Sequence, residues 1–251
     1  MLWVAPYRVG PDLRPYFDIV LTNSSQADTR GFLDLTVEVM NRTIREMKEQ
    51  GYSARYIVDR DRGKNPIAPS YSAIFTRKHD IFETEVYLRD SVRVYEERLT
   101  RMKAEGYRLL SHSFCEIQRQ MEVVSVFERD RRLAFNITVL DNVLWESHHN
   151  LSFFRFSETA LRLGRAGYYP SYVESYNRRG ETDSSIFVGI FEKPIGANLN
   201  WFRWSLDTTE ARETIDSELD DCIWDPLISL AYNYLGNVRH YLGFTKWRYD
   251  Y

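Results

Sequence analysis

Cysteine is scarce in this 251-residue sequence, and the two present, Cys115 and Cys222, allow at most one disulfide bond. A scaffold held together by several disulfides is therefore excluded, although two cysteines do not distinguish an oxidising compartment from a reducing one. No run of 18 apolar residues occurs, so we expect no membrane-spanning helix. The first residues lack a basic segment followed by a long apolar one, so no signal peptide is predicted from them.

Basic charge is not concentrated anywhere in the chain, whose net charge is −3 and whose charges of both signs are interspersed. A nucleic-acid interface needs basic residues gathered on one face, so no nucleic-acid partner is expected. Catalytic motifs are also missing: there is no Walker loop, no dinucleotide fingerprint and no Gly-x-Ser-x-Gly turn. No histidines and cysteines have the spacing of a metal site. We therefore expect no catalytic residues, no metal and no cofactor.

Aromatic residues, in contrast, make up 15% of the chain. They supply large buried areas, or stacking platforms where they are exposed. Alternate tyrosines on a strand would present rings to a sugar or a peptide, but packing between units is the interpretation that we favour. The residues concerned are Tyr168, Tyr169, Tyr172, Tyr176, Trp201 and Trp204.

An internal repeat is visible in three segments that end in Gly-Tyr. Each is preceded by apolar residues at helical spacing, which predicts an amphipathic helix lying on a sheet. A glycine just after the last turn is typical of a left-handed helix end. The apolar stripes run from Leu33 to Met47, Leu88 to Met102 and Phe153 to Leu163, and the dipeptides are Gly51-Tyr52, Gly106-Tyr107 and Gly167-Tyr168.

A fourth helix is predicted from Thr208 to Cys222. Asp207-Thr-Thr-Glu210 reads as a capping box at its start. Its end differs from the other three, because Trp224 follows in place of Gly-Tyr.

Two strands are predicted after each helix, joined by turn residues. The first strand is polar-interleaved, as in Ser53–Val58 and Ser171–Tyr176. The second is apolar on both faces, so it should be covered on both sides, and its third position is small in four of five copies. The five copies are Tyr16–Thr22, Tyr71–Arg77, Val123–Arg129, Phe187–Lys193 and Tyr241–Trp247.

These patterns predict an α+β fold of tandem helix–strand–strand repeats, with about four units after an N-terminal strand pair. We expect one repeat-array domain over residues 1–251, since no Pro/Gly/Ser-rich linker divides it. Two further apolar runs, Leu133–Leu140 and Asn200–Trp204, are candidates for extra strands. The predicted units span residues 1–22, 32–77, 87–129, 145–193 and 207–247.

The repeat resembles the tandem repeat domain of fungal polyglycine hydrolases and of many bacterial proteins. The helix ending in Gly-Tyr, the polar first strand and the aromatic-Glu-Lys end of the second strand carry this resemblance, and the best copy runs from Trp145 to Lys193. Departures are Trp224, Asp18 at a small position and the long link between Arg129 and Trp145. In that family the nucleophile lies in a separate β-lactamase-like domain with a Ser-x-x-Lys signature. No Ser-x-x-Lys occurs here, so the resemblance implies an accessory module without an active site.

The main alternative to a non-catalytic interpretation is a catalytic site that contains the paired histidines His148 and His149. With the surrounding aromatics they would form the unfamiliar site of a hydrolase. We predict instead that they lie in a polar loop before the third helix, since no other ligand or nucleophile is spaced with them.

Four Asn-x-Ser/Thr sequons indicate glycosylation, and with it an extracellular location. Two of the asparagines are expected to be accessible because they flank predicted elements. The four, in the order in which we expect modification, are Asn23, Asn150, Asn136 and Asn41.

The function expected from the sequence is therefore a non-catalytic, extracellular repeat module that binds a protein or a glycan. A hydrolase with an unrecognised site, or a structural subunit of a larger assembly, are the alternatives.

Overall fold

The computed structural model describes the backbone of residues 2–9, 14–21, 28–60, 70–77, 82–117, 120–130, 144–176, 185–193, 199–206, 210, 213, 225–234 and 237–246. Side chains are described for residues 28–59, 70–77, 82–117, 120–130, 144–176, 185–193, 210 and 213. The chain divides into two compact units, Thr22–Asn142 and Leu2–Leu21 with Val143–Tyr251.

An antiparallel hairpin occupies the start of the chain. Strands β1 (Leu2–Val9) and β2 (Arg14–Leu21) pair from Leu2 opposite Leu21 to Val9 opposite Arg14. This is the N-terminal strand pair that the sequence predicts.

The first helix follows a strand and precedes two more. The elements are β3 (Thr29–Leu35), α1 (Val37–Glu49), β4 (Tyr52–Arg60) and β5 (Ser70–Arg77). All pairs are antiparallel and the sheet order is β3-β5-β4, so the last strand lies in the middle.

The next four elements have the same order. They are β6 (Phe82–Ser91), α2 (Val92–Ala104), β7 (Arg108–Ile117) and β8 (Gln120–Asp130), with the sheet order β6-β8-β7.

The third helix again follows a strand. The elements are β9 (Leu144–Leu151), α3 (Phe153–Arg165), β10 (Tyr169–Tyr176) and β11 (Ile186–Lys193), with β11 between β9 and β10.

A fourth three-stranded sheet contains β12 (Leu199–Leu206), β13 (Asp225–Tyr234) and β14 (Asn237–Lys246), in the order β12-β14-β13. The candidate strand Asn200–Trp204 is thus present. Of the predicted fourth helix only Glu210 and Glu213 are described, and both are helical and exposed. The candidate strand Leu133–Leu140 lies outside the described residues.

The fold class is α+β. Each of the helices α1, α2 and α3 has a three-stranded sheet where we predicted two strands, because the strand before the helix was not predicted. Leu33 and Leu88, which we assigned to helices, lie in β3 and β6. Both precede a residue in the left-handed conformation, Asp34 with φ 65° and Arg89 with φ 62°, where the register with the central strand shifts before the strands end at Leu35 and Ser91. Leu33 and Leu88 therefore match the helical spacing only by coincidence. Leu33 is 61% exposed, whereas the predicted stripe should be buried.

Each of the helices α1, α2 and α3 begins at a hydroxyl cap. The side chains of Thr36, Ser91 and Ser152 accept a hydrogen bond from the backbone N–H three residues later. Each helix ends before a glycine with φ between 79° and 84°, where a side chain would be strained, and the predicted left-handed helix ends at Gly51, Gly106 and Gly167 are confirmed.

The central strands are buried on both faces, as the sequence predicts. In β5, residues Ser70–Phe75 are all buried. One core in the first unit joins α1 and its sheet to β8, since Met40, Ala73 and Phe75 form one cluster with Val124 and Val126. A second core lies under α3. The single array over residues 1–251 stays a prediction.

No helix within the described part of the chain has the length and apolar character that crossing a membrane requires.

Candidate interaction surface

Helix α3 is fixed at both ends by local hydrogen bonds. Ser152 Oγ accepts from the backbone N–H of Arg155 at 3.4 Å. At the other end the N–H groups of Gly167 and Tyr168 donate to Gly164 and Leu163 carbonyls at 3.0 Å. Because both ends are capped, the direction of each side chain on the helix is well defined.

The inner face of α3 is a tightly packed aromatic contact. Phe156 is fully buried, and its ring stacks on Phe187 with centroids 5.2 Å apart and lies 5.9 Å from Phe191. A Cβ atom at Gly189 would lie 2.9 Å from Phe156 Cε2, closer than real contacts allow. The small third position of the central strand therefore lets a helix side chain approach closely here, because only glycine admits this ring.

The opposite side of α3 also carries large apolar side chains. Phe154 is 70% exposed and Leu161 is 66% exposed, and they are seven residues apart, which places them on one face two turns apart. We name this side the α3 outer face and define it as Phe154, Arg155, Glu158, Leu161, Arg162 and Arg165, all of which are exposed.

Helices α1 and α2 provide an internal reference for this surface. Counted from the capping residue, Phe154 corresponds to Glu38 and Arg93, and Leu161 corresponds to Arg45 and Thr100. All four of these side chains are polar and exposed, as expected of a helix face in water. The exposed apolar pair is therefore a property of α3 and not of this fold.

The charges beside the apolar pair are mostly basic. Arg155 contacts Glu158 at 3.2 Å, and both side chains are at least 70% exposed. Arg162 and Arg165 form no ion pair with a described residue. Exposed pairs contribute little to stability, so these groups are available to a ligand at small cost.

The Gly-Tyr motif builds a different, structural contact at the end of each helix. A cation from the end of the central strand lies over the tyrosine ring: Arg77 over Tyr52 at 5.3 Å, Arg129 over Tyr107 at 4.5 Å and Lys193 over Tyr168 at 5.9 Å. Tyr52 pairs directly with Arg77, and in the other two sheets the paired register begins one residue after the tyrosine, so the motif closes the helix onto its sheet.

In two of these three contacts, those after α1 and α2, an acidic side chain also takes part. Asp28 accepts a hydrogen bond from Tyr52, and Glu83 forms an ion pair with Arg129 at 2.7 Å. Burial and the Glu83 charge raise the pKa of Tyr107 to about 12. Leu144 occupies the matching position opposite Lys193, so the α3 contact lacks the acid.

The paired histidines lie on β9, which corrects their assignment to a loop. The strand extends to Leu151 because β9 pairs with β11 up to that residue. His148 Nε2 lies 3.0 Å from Glu146 Oε2, and its ring meets Phe191 edge-on at 5.9 Å. Within the described residues no three His, Cys, Asp or Glu side chains gather as a metal site.

The tyrosines of the ring platform, which we considered from the sequence but did not favour, do not form one open surface. Tyr172 is buried and donates a hydrogen bond to Glu174 at 2.8 Å, while Tyr168, Tyr169 and Tyr176 are half-buried. Trp201 and Trp204 lie on β12, and their side chains are outside the described set.

Two of the four predicted glycosylation sites are described, and both are exposed. Asn41 lies in α1, and Asn150 lies at the end of β9. Asn150 has φ 56°, and it takes the place that Asp34 and Arg89 have before the other helices. Asparagine tolerates this conformation well, which gives Asn150 a backbone role independent of any glycan. Asn23 and Asn136 lie outside the described residues, and Cys115 is buried on β7, whereas Cys222 is not described.

Sequence reasoning did not find the α3 outer face. Its signal is present in the sequence, because aligning the three helices at Thr36, Ser91 and Ser152 places Phe154 and Leu161 opposite polar residues.

No curated protein matched the chain. Residues 142–194, which include β9, α3, β10 and β11, match the family model described as the structural repeat of polyglycine hydrolase-like proteins. The resemblance inferred from Trp145–Lys193 is thus confirmed for this segment, which contains the whole α3 outer face.

Proposed function

We propose that this chain is a non-catalytic tandem-repeat module that binds a protein through the α3 outer face. The repeating unit is a strand, a helix and two strands, with the last strand in the middle of the sheet. Support comes from the three helices, which share this element order, the hydroxyl cap and the left-handed glycine.

The observation that carries the proposal is the exposed pair Phe154 and Leu161. Burying two such side chains against a partner is worth about 1.5–3 kcal/mol each. Single exposed apolar residues are common on protein surfaces, so the pair gains its meaning from the polar equivalents on α1 and α2. A protein partner fits better than a glycan, since sugars stack on flat aromatic faces and Leu161 offers none.

The non-catalytic part of the proposal is supported by the surroundings of His148, the residue that the hydrolase alternative requires. His148 and Glu146 lie on an edge strand whose ring contact is Phe191, and that arrangement explains the pair as strand packing. The absence of a Ser-x-x-Lys sequence supports the same conclusion.

An extracellular location belongs to the same proposal. It rests on the four sequons and on the exposure of Asn41 and Asn150. Intact-mass measurement of the protein from its native source tests it, because the secreted form should carry glycan mass at one or more sequons. An unmodified mass would contradict this part alone.

Site-specific photocrosslinking tests the binding surface. A benzophenone amino acid at Leu161 should give covalent protein adducts in an extract from the native source. The matched control places the same group at Thr100, which is exposed and at the same helical position of α2. Equal adducts from both positions would contradict the proposal, as would adducts at Leu161 that persist when Phe154 is changed to glutamate.

A further inference from the structure

We infer that the α3 outer face takes an acidic, amphipathic helix of a partner protein. This inference rests on the proposed protein-binding function and specifies the chemistry of the ligand. It follows from the shape of the apolar pair and from the charges that surround it.

The shape favours a helix. Phe154 and Leu161 lie two turns apart on one face of α3, about 10 Å at 1.5 Å per residue, with the polar Ser157 and Glu158 between them. Apolar side chains two turns apart match the i and i+7 positions that an amphipathic helical ligand presents, and the side chains of two helices pack between one another.

The charge favours an acidic ligand. The α3 outer face has three arginines and one glutamate, and that glutamate contacts Arg155. Arg162 and Arg165 lie in the last turn, where the helix dipole also favours cations. They lie within one turn of Leu161, so carboxylates that flank an apolar ligand ridge would meet them, with bidentate geometry available.

Helices α1 and α2 show how a solvated face differs. Exposed acidic and basic residues are equal in number on each of them, three and three, when the C-cap Glu105 is counted with α2. Three exposed i,i+4 pairs form there: Arg42 with Glu46 at 3.8 Å, Arg93 with Glu97 at 2.8 Å and Arg101 with Glu105 at 3.8 Å. Pairs of this kind neutralise a helix in water and leave no excess of one sign.

Fluorescence anisotropy with two synthetic helical peptides tests the inference on the full chain. Both peptides carry Leu and Phe at i, i+4 and i+7, and one has glutamates beside them where the other has lysines. We expect the acidic peptide to bind at least about tenfold more tightly, with affinity falling as salt increases. The double change Arg162→Ala and Arg165→Ala should remove this preference, whereas Arg101→Ala in α2 should preserve it.

The outcomes separate this inference from the proposed function. Equal affinity for both peptides, weakened by Phe154→Ala, would overturn the acidic ligand and keep the binding surface. Binding that is insensitive to Phe154→Ala and Leu161→Ala would overturn both. If neither peptide binds, the inference is wrong.

Two other occupants are tested with the same variants. Binding to phosphatidylserine vesicles that is lost in Phe154→Glu would assign the surface to a lipid membrane. Self-association in sedimentation experiments that is lost in Leu161→Glu would assign it to a second copy of the chain. Either result would overturn the inference.

Discussion

Helices α2 and α3 are alike where they face their sheets and different where they face water. Each buries an aromatic residue at the fourth position after its cap, Tyr95 or Phe156. On the other side, α2 has paired charges and α3 has Phe154 and Leu161. The inner face is dictated by packing, so differences on the outer face are where a binding function would appear.

The largest expected effect separates the two faces of α3 itself. Phe156→Ala removes a fully buried ring and should lower the free energy of unfolding by about 3–5 kcal/mol. Phe154→Ala on the same helix should change it by no more than about 0.5 kcal/mol, since that ring is exposed. Urea unfolding of both variants measures the difference. Similar losses would mean that Phe154 contributes to the core.

A second prediction sharpens the comparison of the inner faces. Gly189→Ala places a methyl group 2.9 Å from Phe156 Cε2 and should cost about 1–3 kcal/mol through overpacking. Combining it with Phe156→Leu should recover part of this loss, because the smaller side chain vacates the contact. Additive losses in urea unfolding would refute this pairing.

A third prediction concerns the shared start of the helices. Ser152→Ala removes the cap of α3 and should cost about 1 kcal/mol, and Ser91→Ala should do the same for α2. Thermal unfolding of both variants checks this. Unequal effects would show that one helix gains its start from another contact.

The smallest expected effect is a pH dependence of stability that arises from Tyr107, the tyrosine that follows the end of α2. The pKa of Tyr107 is raised from 10 to about 12, so the neutral phenol is favoured in the folded state. Its contribution is complete below pH 10 and is lost as the pH rises to about 12. The wild-type protein should therefore lose stability over this range more steeply than Tyr107→Phe, as measured by urea unfolding at each pH. An equal loss of stability with pH in the two proteins would contradict the raised pKa of Tyr107.

The helix ends and central strands were predictable because each has a strong local signal. A left-handed turn favours glycine at Gly51, Gly106 and Gly167, and a strand buried on both faces is apolar over most of its length, as in Phe187–Phe191. The strands before the helices were missed for the opposite reason. They are half-exposed, and the left-handed residue near their end interrupts the alternation that identifies a strand.

The α3 outer face was missed because a helical stripe selects the residues that go inward. Phe153, Phe156 and Leu163 fit that stripe. Phe154 does not fit it, and the sequence pattern of α3 alone does not mark its ring as exposed. Only a comparison with the other helices at their caps distinguishes an exposed ring from a buried one.

The fit between Phe156 and Gly189 has a consequence for how such chains can evolve. At the matching strand position Gly189 is replaced by Ala73 and Ser125, and at the matching helix position Phe156 is replaced by Met40 and Tyr95, all of them buried. Met40 and Ala73 belong to one core cluster. Duplication or exchange of an entire unit keeps these partners together. Recombination within a unit separates them, since Phe156 would meet a methyl group at Ala73 and Met40 would leave space over Gly189. We therefore expect an exchange of complete units to preserve the fold better than an exchange that separates a helix from its central strand.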